Sequence, residues 1–149
     1  MSYATDGLFV IGSDTLDSNM VLEAASGSDV KLYVSTFYQE GGSPEFDEGI
    51  KAWLNEDATA MTNNGGNDTI AAVTAMGYDA YYVALEALKA AGSTDPAAVK
   101  AALPGVTYTG VTGDIAFDDI GDAIRDTAYI KVADTANNAW ALETMQKAG

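Results

Sequence analysis

The stretch from Ile70 to Asp126 reads IAAVTAMGYDAYYVALEALKAAGSTDPAAVKAALPGVTYTGVTGDIAFDDIGDAIRD. Ile70, Val73, Gly77, Ala80, Tyr81, Ala84, Leu85 and Leu88 recur at three- and four-residue steps, which predicts one apolar face of a long helix. Tyr78 and Tyr82 lie beside that stripe, and Gly92 ends the helix. Asp95-Pro96 opens a short helix over 97–103, and Pro104-Gly105 closes it. Val106 to Gly113 reads as a Thr- and Gly-rich crossing segment. Asp114 to Phe117 is a predicted strand, 118–122 a turn and 127–133 a further strand.

Working back from Ile70, Glu56 to Asp68 is polar and ends in Asn63-Asn64-Gly65-Gly66-Asn67-Asp68. It reads as a loop, with Asn67 or Asp68 capping the long helix. Ser43-Pro44-Glu45 starts a helix that places Phe46, Ile50, Trp53 and Leu54 on one face and ends near Asn55. Val30 to Tyr38 is β-rich. Asp17 or Ser18 caps a short helix through about Ala25, with Met20, Val21, Ala24 and Ala25 as its apolar face. Leu8 to Ile11 is a continuous apolar run of the kind found in buried parallel strands. Strand, helix and strand in this space make a βαβ unit and imply a parallel sheet. Toward the other end, Asn137-Asn138 bends the chain before a final segment, 139–145.

The chain has 149 residues, with 22 acidic and 7 basic residues and a net charge of −15. Nucleic acid is excluded as an expected partner, because its binders need clustered Lys and Arg against phosphate. The chain holds neither Cys nor His. That removes disulfides, thiolate chemistry, Ser-His-Asp catalysis and His-containing zinc sites. Met1 to Gly7 is polar and the first apolar run spans four residues, so no signal peptide or membrane span is expected there. GxGxxG, Walker, GxSxG and HExxH motifs do not occur.

Ser13-Asp14-Thr15 follows the first strand and precedes a helix. In open α/β sheets ligands bind outside the carboxyl ends of strands. A carboxylate there pairs with a ligand ammonium, or it is a helix cap or a plain loop acid. Both readings stand for Asp14. Asp118-Asp119-Ile120-Gly121-Asp122 lacks EF-hand spacing and reads as a turn.

The order and wording of 70–126, with Ile11-Gly12-Ser13-Asp14 upstream, resemble the extracytoplasmic solute-binding proteins of branched-chain amino-acid ABC transporters. These are type I periplasmic binding proteins, or extracellular ligand-binding receptors. The resemblance runs from about Leu8 to about Ala133 and matches only the C-terminal portion of such a protein. It implies a partial type I α/β fold. Residues 1–38 would end the second lobe as a βαβ unit, 39–110 would be the helical part of the first lobe, and 111–149 a crossing segment with a closing β-hairpin. The implied function is non-enzymatic capture of a small amino acid, or related solute, between two lobes for an ABC permease, in the periplasm or outside the cell and attached to the envelope. No metal or cofactor is implied.

By the same resemblance Asp14, with Ser13, meets the ligand's amino group. Val73, Tyr78 and Asp79 lie at a helix start facing the cleft, and Tyr38 lies at a hinge crossing by the cleft mouth. On the residues alone, Tyr78 and Asp79 equally read as packing and solvation positions, and Phe37 as strand-end packing. Half a cleft also leaves sheet edges and helix faces open, which predicts dimerisation or strand exchange when the chain is alone. Two other functions fit the composition: a carboxylate-dependent α/β enzyme, needing a complete parallel sheet, and an acidic extracellular structural domain.

Overall fold

The computed structural model describes residues 9–147; Leu8, the first residue of the expected opening strand, lies outside them. The chain forms two compact units, one from 9–73 with 127–147 and one from Thr74–Asp126. Within the first unit the Ile70 amide donates to Glu40 and the Ala72 amide to Asp17, next to the start of the long helix.

The first unit is built on a four-stranded mixed sheet of order β1-β2-β6-β7. β1 (Phe9–Gly12) and β2 (Lys31–Thr36) are parallel, with Val10 opposite Leu32 and Gly12 opposite Val34. The crossover between them is α1 (Asn19–Ala25), capped by Ser18, whose hydroxyl accepts from the Val21 amide. β6 (Thr127–Asp134) and β7 (Ala139–Lys147) complete the sheet as an antiparallel hairpin. Leu22, Leu32, Val34 and Trp140 form the core between α1 and the sheet.

The expected face of α1 is corrected: Leu22 is buried and Met20 is 75% exposed. At 100° per residue, Val21, Leu22 and Ala25 fall within one arc centred near Ala25, and Met20 falls opposite Leu22. α2 (Pro44–Glu56) buries Phe46 and Leu54, while Trp53 of its expected face is exposed. The polar stretch after it is not all loop. It contains α3 (Ala58–Asn63), capped by Asp57, whose Oδ1 accepts from the amides of Thr59 and Ala60.

α4 (Ala72–Ala91) starts later than expected and is not capped by Asn67 or Asp68. Asn67 Oδ1 instead accepts from the Thr69 amide and from Asn19 Nδ2. The buried line of α4 is Ala72, Ala75, Asp79, Val83 and Ala87. The expected stripe is corrected, since Val73, Gly77, Ala80, Tyr81 and Ala84 are exposed. A helix apolar nearly all round leaves its period without a preferred direction. Here the alanine side packs, because small residues allow close approach, and Asp79 faces inward to meet backbone donors.

The second unit joins most of α4 and α5 (Pro96–Ala102) to an antiparallel meander, β3 (Tyr108–Gly110), β4 (Gly113–Phe117) and β5 (Ala123–Ile124). Val83, Ala87, Val106 and Ile115 are its core. The stretch read as a crossing segment is a tight hairpin, with Gly110 opposite Gly113 and Val111-Thr112 as the turn. Gly113 has φ +97°, a conformation that favours glycine. At 118–122, Asp118 Oδ1 accepts from the amides of Ile120 and Asp122 and closes the acidic turn. Among the described residues, no helix is long and apolar enough to cross a membrane.

Candidate functional site

At the carboxyl end of β1 the chain turns at Gly12 and enters a short 3-10 turn, Asp14–Leu16. The Leu16 amide donates to Ser13 O and the Asp17 amide to Asp14 O, each at 3.0 Å. Ser13 Oγ and Thr15 Oγ1 share a hydrogen bond of 2.8 Å. The Leu16 side chain folds over Gly12 so closely that a Cβ there would overlap it. Asp14 is half-buried. The capping reading of Asp14 falls away, since Ser18 caps α1. Among the described residues, Asp14 has no hydrogen-bond or ion-pair partner at its carboxylate. An acceptor so placed, outside the end of a parallel strand, suits a ligand ammonium.

Tyr38 is buried, and its hydroxyl donates to Asp47 Oδ1 at 2.6 Å and accepts from the Ser43 amide at 3.2 Å. Its ring meets Phe46 edge-on. Burial raises the Tyr38 pKa well above the ordinary tyrosine value, and the hydrogen bond to Asp47 adds to it. Tyr38 thus holds the start of α2. Asp47 also accepts from the Gly41 amide at 2.6 Å, and Glu40 pairs with Lys51. Beside them lies a cleft of about 590 Å³, lined by Glu48, Thr69 and Trp140 among others. Gln39, on its wall, keeps Oε1 buried without a hydrogen-bond partner among the described residues.

In the second unit, Asp79 and Tyr78 point to different sides of α4. Asp79 is 1% exposed, and its oxygens accept from the amides of Val111 at 2.9 Å and Thr112 at 2.8 Å and from Thr112 Oγ1 at 2.6 Å. Arg125 Nη1 donates in turn to Thr112 Oγ1 at 2.9 Å. Burial lowers the Arg125 pKa from its ordinary value. The carboxylate sits where a Cβ on Gly110 would be, so that position requires glycine. Asp79 therefore clamps the β3–β4 turn to α4. Tyr78 is exposed and touches Tyr82, with ring centroids 4.9 Å apart. The hydrogen bond with the Tyr82 hydroxyl pushes the Tyr78 pKa up to about 12. Tyr82 stacks on Tyr108. Val73 is exposed on the first turn of α4.

Of the sequence candidates, Ser13 and Asp14 lie together on one turn, while Tyr38 and Asp79 spend their polar atoms on other parts of the chain. Sequence reasoning missed Lys131, whose Nζ reaches Asp17 Oδ2 at 2.9 Å in the buried interior of the first unit. The signal was present: one lysine inside the apolar run Ala128 to Ala133, opposite Val34 on β2.

A family profile described as periplasmic binding protein matches residues 4–137. The chain belongs to that family. Its fold is similar to that of a leucine-binding protein, LivK, from Thermotoga maritima, with a TM-score of 0.68 and 23% identity over 93% of this chain. The chain spans 37% of that protein's length. No curated protein gives a match.

Proposed function

We propose that this chain is part of the substrate-binding component of an ABC importer, and that its solute is a small amino acid of the branched-chain type. The chain's family is one of solute-binding receptors that work outside the cytoplasm. The observation that carries the finer reading is the half-buried, unpartnered carboxylate of Asp14 at the end of β1. It takes the solute's ammonium, with the Ser13 hydroxyl beside it. Val73, exposed on the first turn of α4, is a further proposed contact. Tyr38 and Asp79 serve by holding their loops. The similarity to a leucine-binding protein supports an apolar amino acid as solute, and its greater length supports a longer protein around this portion. Permease docking, attachment to the envelope and self-association of this chain when alone belong to the same reading.

Calorimetric titration with L-leucine tests it on the protein carrying this sequence. Asp14→Ala is expected to weaken binding by about 2–5 kcal/mol, the cost of leaving a buried ammonium unpaired. Equal affinity in the variant removes Asp14 from the site.

A further inference from the structure

One carboxylate oxygen is the meeting point of four segments of the first unit. Asp17 Oδ2 accepts from Lys131 Nζ on β6 at 2.9 Å, from the Ala72 amide at the start of α4 at 3.1 Å, and from Thr36 Oγ1 at the end of β2 at 3.4 Å. These donors stand 114, 55 and 19 residues away in sequence. The side chains of Lys131 and Asp17 are 3% and 1% exposed, and Thr36 is buried.

Net stability does not explain such a pair. Desolvation offsets most of the attraction between buried charges, and well-packed apolar replacements are often as stable. Position 131 lies opposite Val34, on the face where Leu32 and Val34 meet α1, so an aliphatic residue would suit the packing. What an ion pair supplies there, and an aliphatic residue does not, is direction. The buried carboxylate is held at one point by three donors from three elements.

Asp17 is also the last link of the turn that carries Ser13 and Asp14. Its amide closes on Asp14 O, and the Ser18 amide donates to Leu16 O at 2.9 Å. The turn is therefore strung between the end of β1, where Leu16 covers Gly12, and a residue that moves only by breaking three buried contacts.

We propose that the Asp17–Lys131 pair is a positioning device for the solute-binding turn. It fixes the direction in which Asp14 presents its carboxylate, and it ties that turn to the first residue of α4 through the Ala72 amide. Asp17 and Lys131 touch no solute. The proposal rests on the reading of Asp14 given above.

Residue-resolved amide hydrogen exchange, with an L-leucine titration in parallel, tests both. The variants are Asp17→Asn, Lys131→Met and the double apolar replacement Asp17→Leu with Lys131→Met. The double variant is expected to melt close to the unsubstituted protein. Its amides at Leu16, Ser18 and Ala72 should exchange at least about tenfold faster, because a charge-assisted acceptor is lost locally. Those at Val34 and Val132 should keep their rates, and leucine affinity should fall by about tenfold. Unchanged exchange at Leu16, Ser18 and Ala72, or acceleration spread evenly over the unit, overturns the proposal. If the double variant does not fold, Asp17→Asn combined with Lys131→Met gives the same readout, since it keeps the volume and leaves no buried charge unpaired. Local loosening in a protein that never binds leucine would sink the solute reading and leave the positioning role. Leucine binding with unaltered exchange would do the reverse.

Discussion

Asp79 and Asp14 are both carboxylates at positions a sequence reader would pick for ligand contact, and their surroundings give them different work. Asp79 holds two backbone amides and a hydroxyl of the β3–β4 turn. Asp79→Ala would leave those part-buried donors without their acceptor, and we expect a loss of about 1–3 kcal/mol in urea unfolding. Gly110→Ala should be destabilising for the matching reason, since the new methyl group competes with that carboxylate for space. The tyrosines give a second residue-scale prediction. Tyr38, Tyr78 and Tyr108 all have pKa values raised above the ordinary 10.0. A raised acid pKa means that folding favours the neutral hydroxyl. The stabilisation is complete below pH 10 and is lost as pH rises through the folded values, near 12 for Tyr78. Absorbance titration of the eight tyrosines should show a late class, and Tyr38→Phe should remove one member of it. With no histidine in the chain, no side chain here has an ordinary pKa between 5 and 8. Leucine affinity should accordingly stay nearly flat over that range, as titrations at several pH values would check. At this scale the sequence put Asp14 just past the end of a strand, where the chain does turn, because a strand end followed by a cap is a local pattern. It left Asp79 undecided and passed over Lys131, because their partners lie 32 and 114 residues away.

Among the strands, β1 exposes the most large apolar side chains. Phe9, Val10 and Ile11 are 64%, 42% and 60% exposed, and among the described residues β1 pairs with β2 alone. The opposite edge, β7, carries Glu143 and Lys147, and its pairing with β6 is irregular near Ile130. Charges and bulges of this kind discourage edge-to-edge association. β1 has neither, so light scattering should detect concentration-dependent association of the isolated chain, and Val10→Lys should reduce it. A monodisperse monomer at high concentration would contradict this. The helices α2 and α3 show where sequence reading worked and where it did not. Ser43-Pro44 announced α2, since proline at the first helical turn is a strong punctuation mark. Asp57 before Ala58 announces α3 just as well, yet the asparagine- and glycine-rich tail of the same stretch concealed it. Asp57→Ala should cost about 1 kcal/mol in unfolding free energy. α4 was found easily and turned the wrong way: alanines supply no hydrophobic contrast, and what orients them is the hairpin that Asp79 grips.

Over the whole molecule, 22 acidic groups face 7 basic ones. Self-repulsion of that size weakens the compact state and is screened by salt. Raising sodium chloride from about 10 to about 200 mM, across the range where the Debye length falls below about 10 Å, should raise the melting temperature. Most of the order of elements was legible, α3, β3 and β5 excepted, because strand, helix and turn signals are local. The division into two units was not, because it includes long-range pairings such as β6 with β2, which no local signal announces.

Trp140 lies in the core under α1 and Trp53 is exposed on α2, and the sequence contains no other tryptophan. Both belong to the first unit. Intrinsic fluorescence excited at the red edge therefore sees that unit alone, with Trp140 shifting to longer wavelength as water reaches it. Far-ultraviolet circular dichroism is weighted toward α4, most of which belongs to the second unit. The gap between the two melting curves reads directly whether the halves of this chain unfold as one body or two.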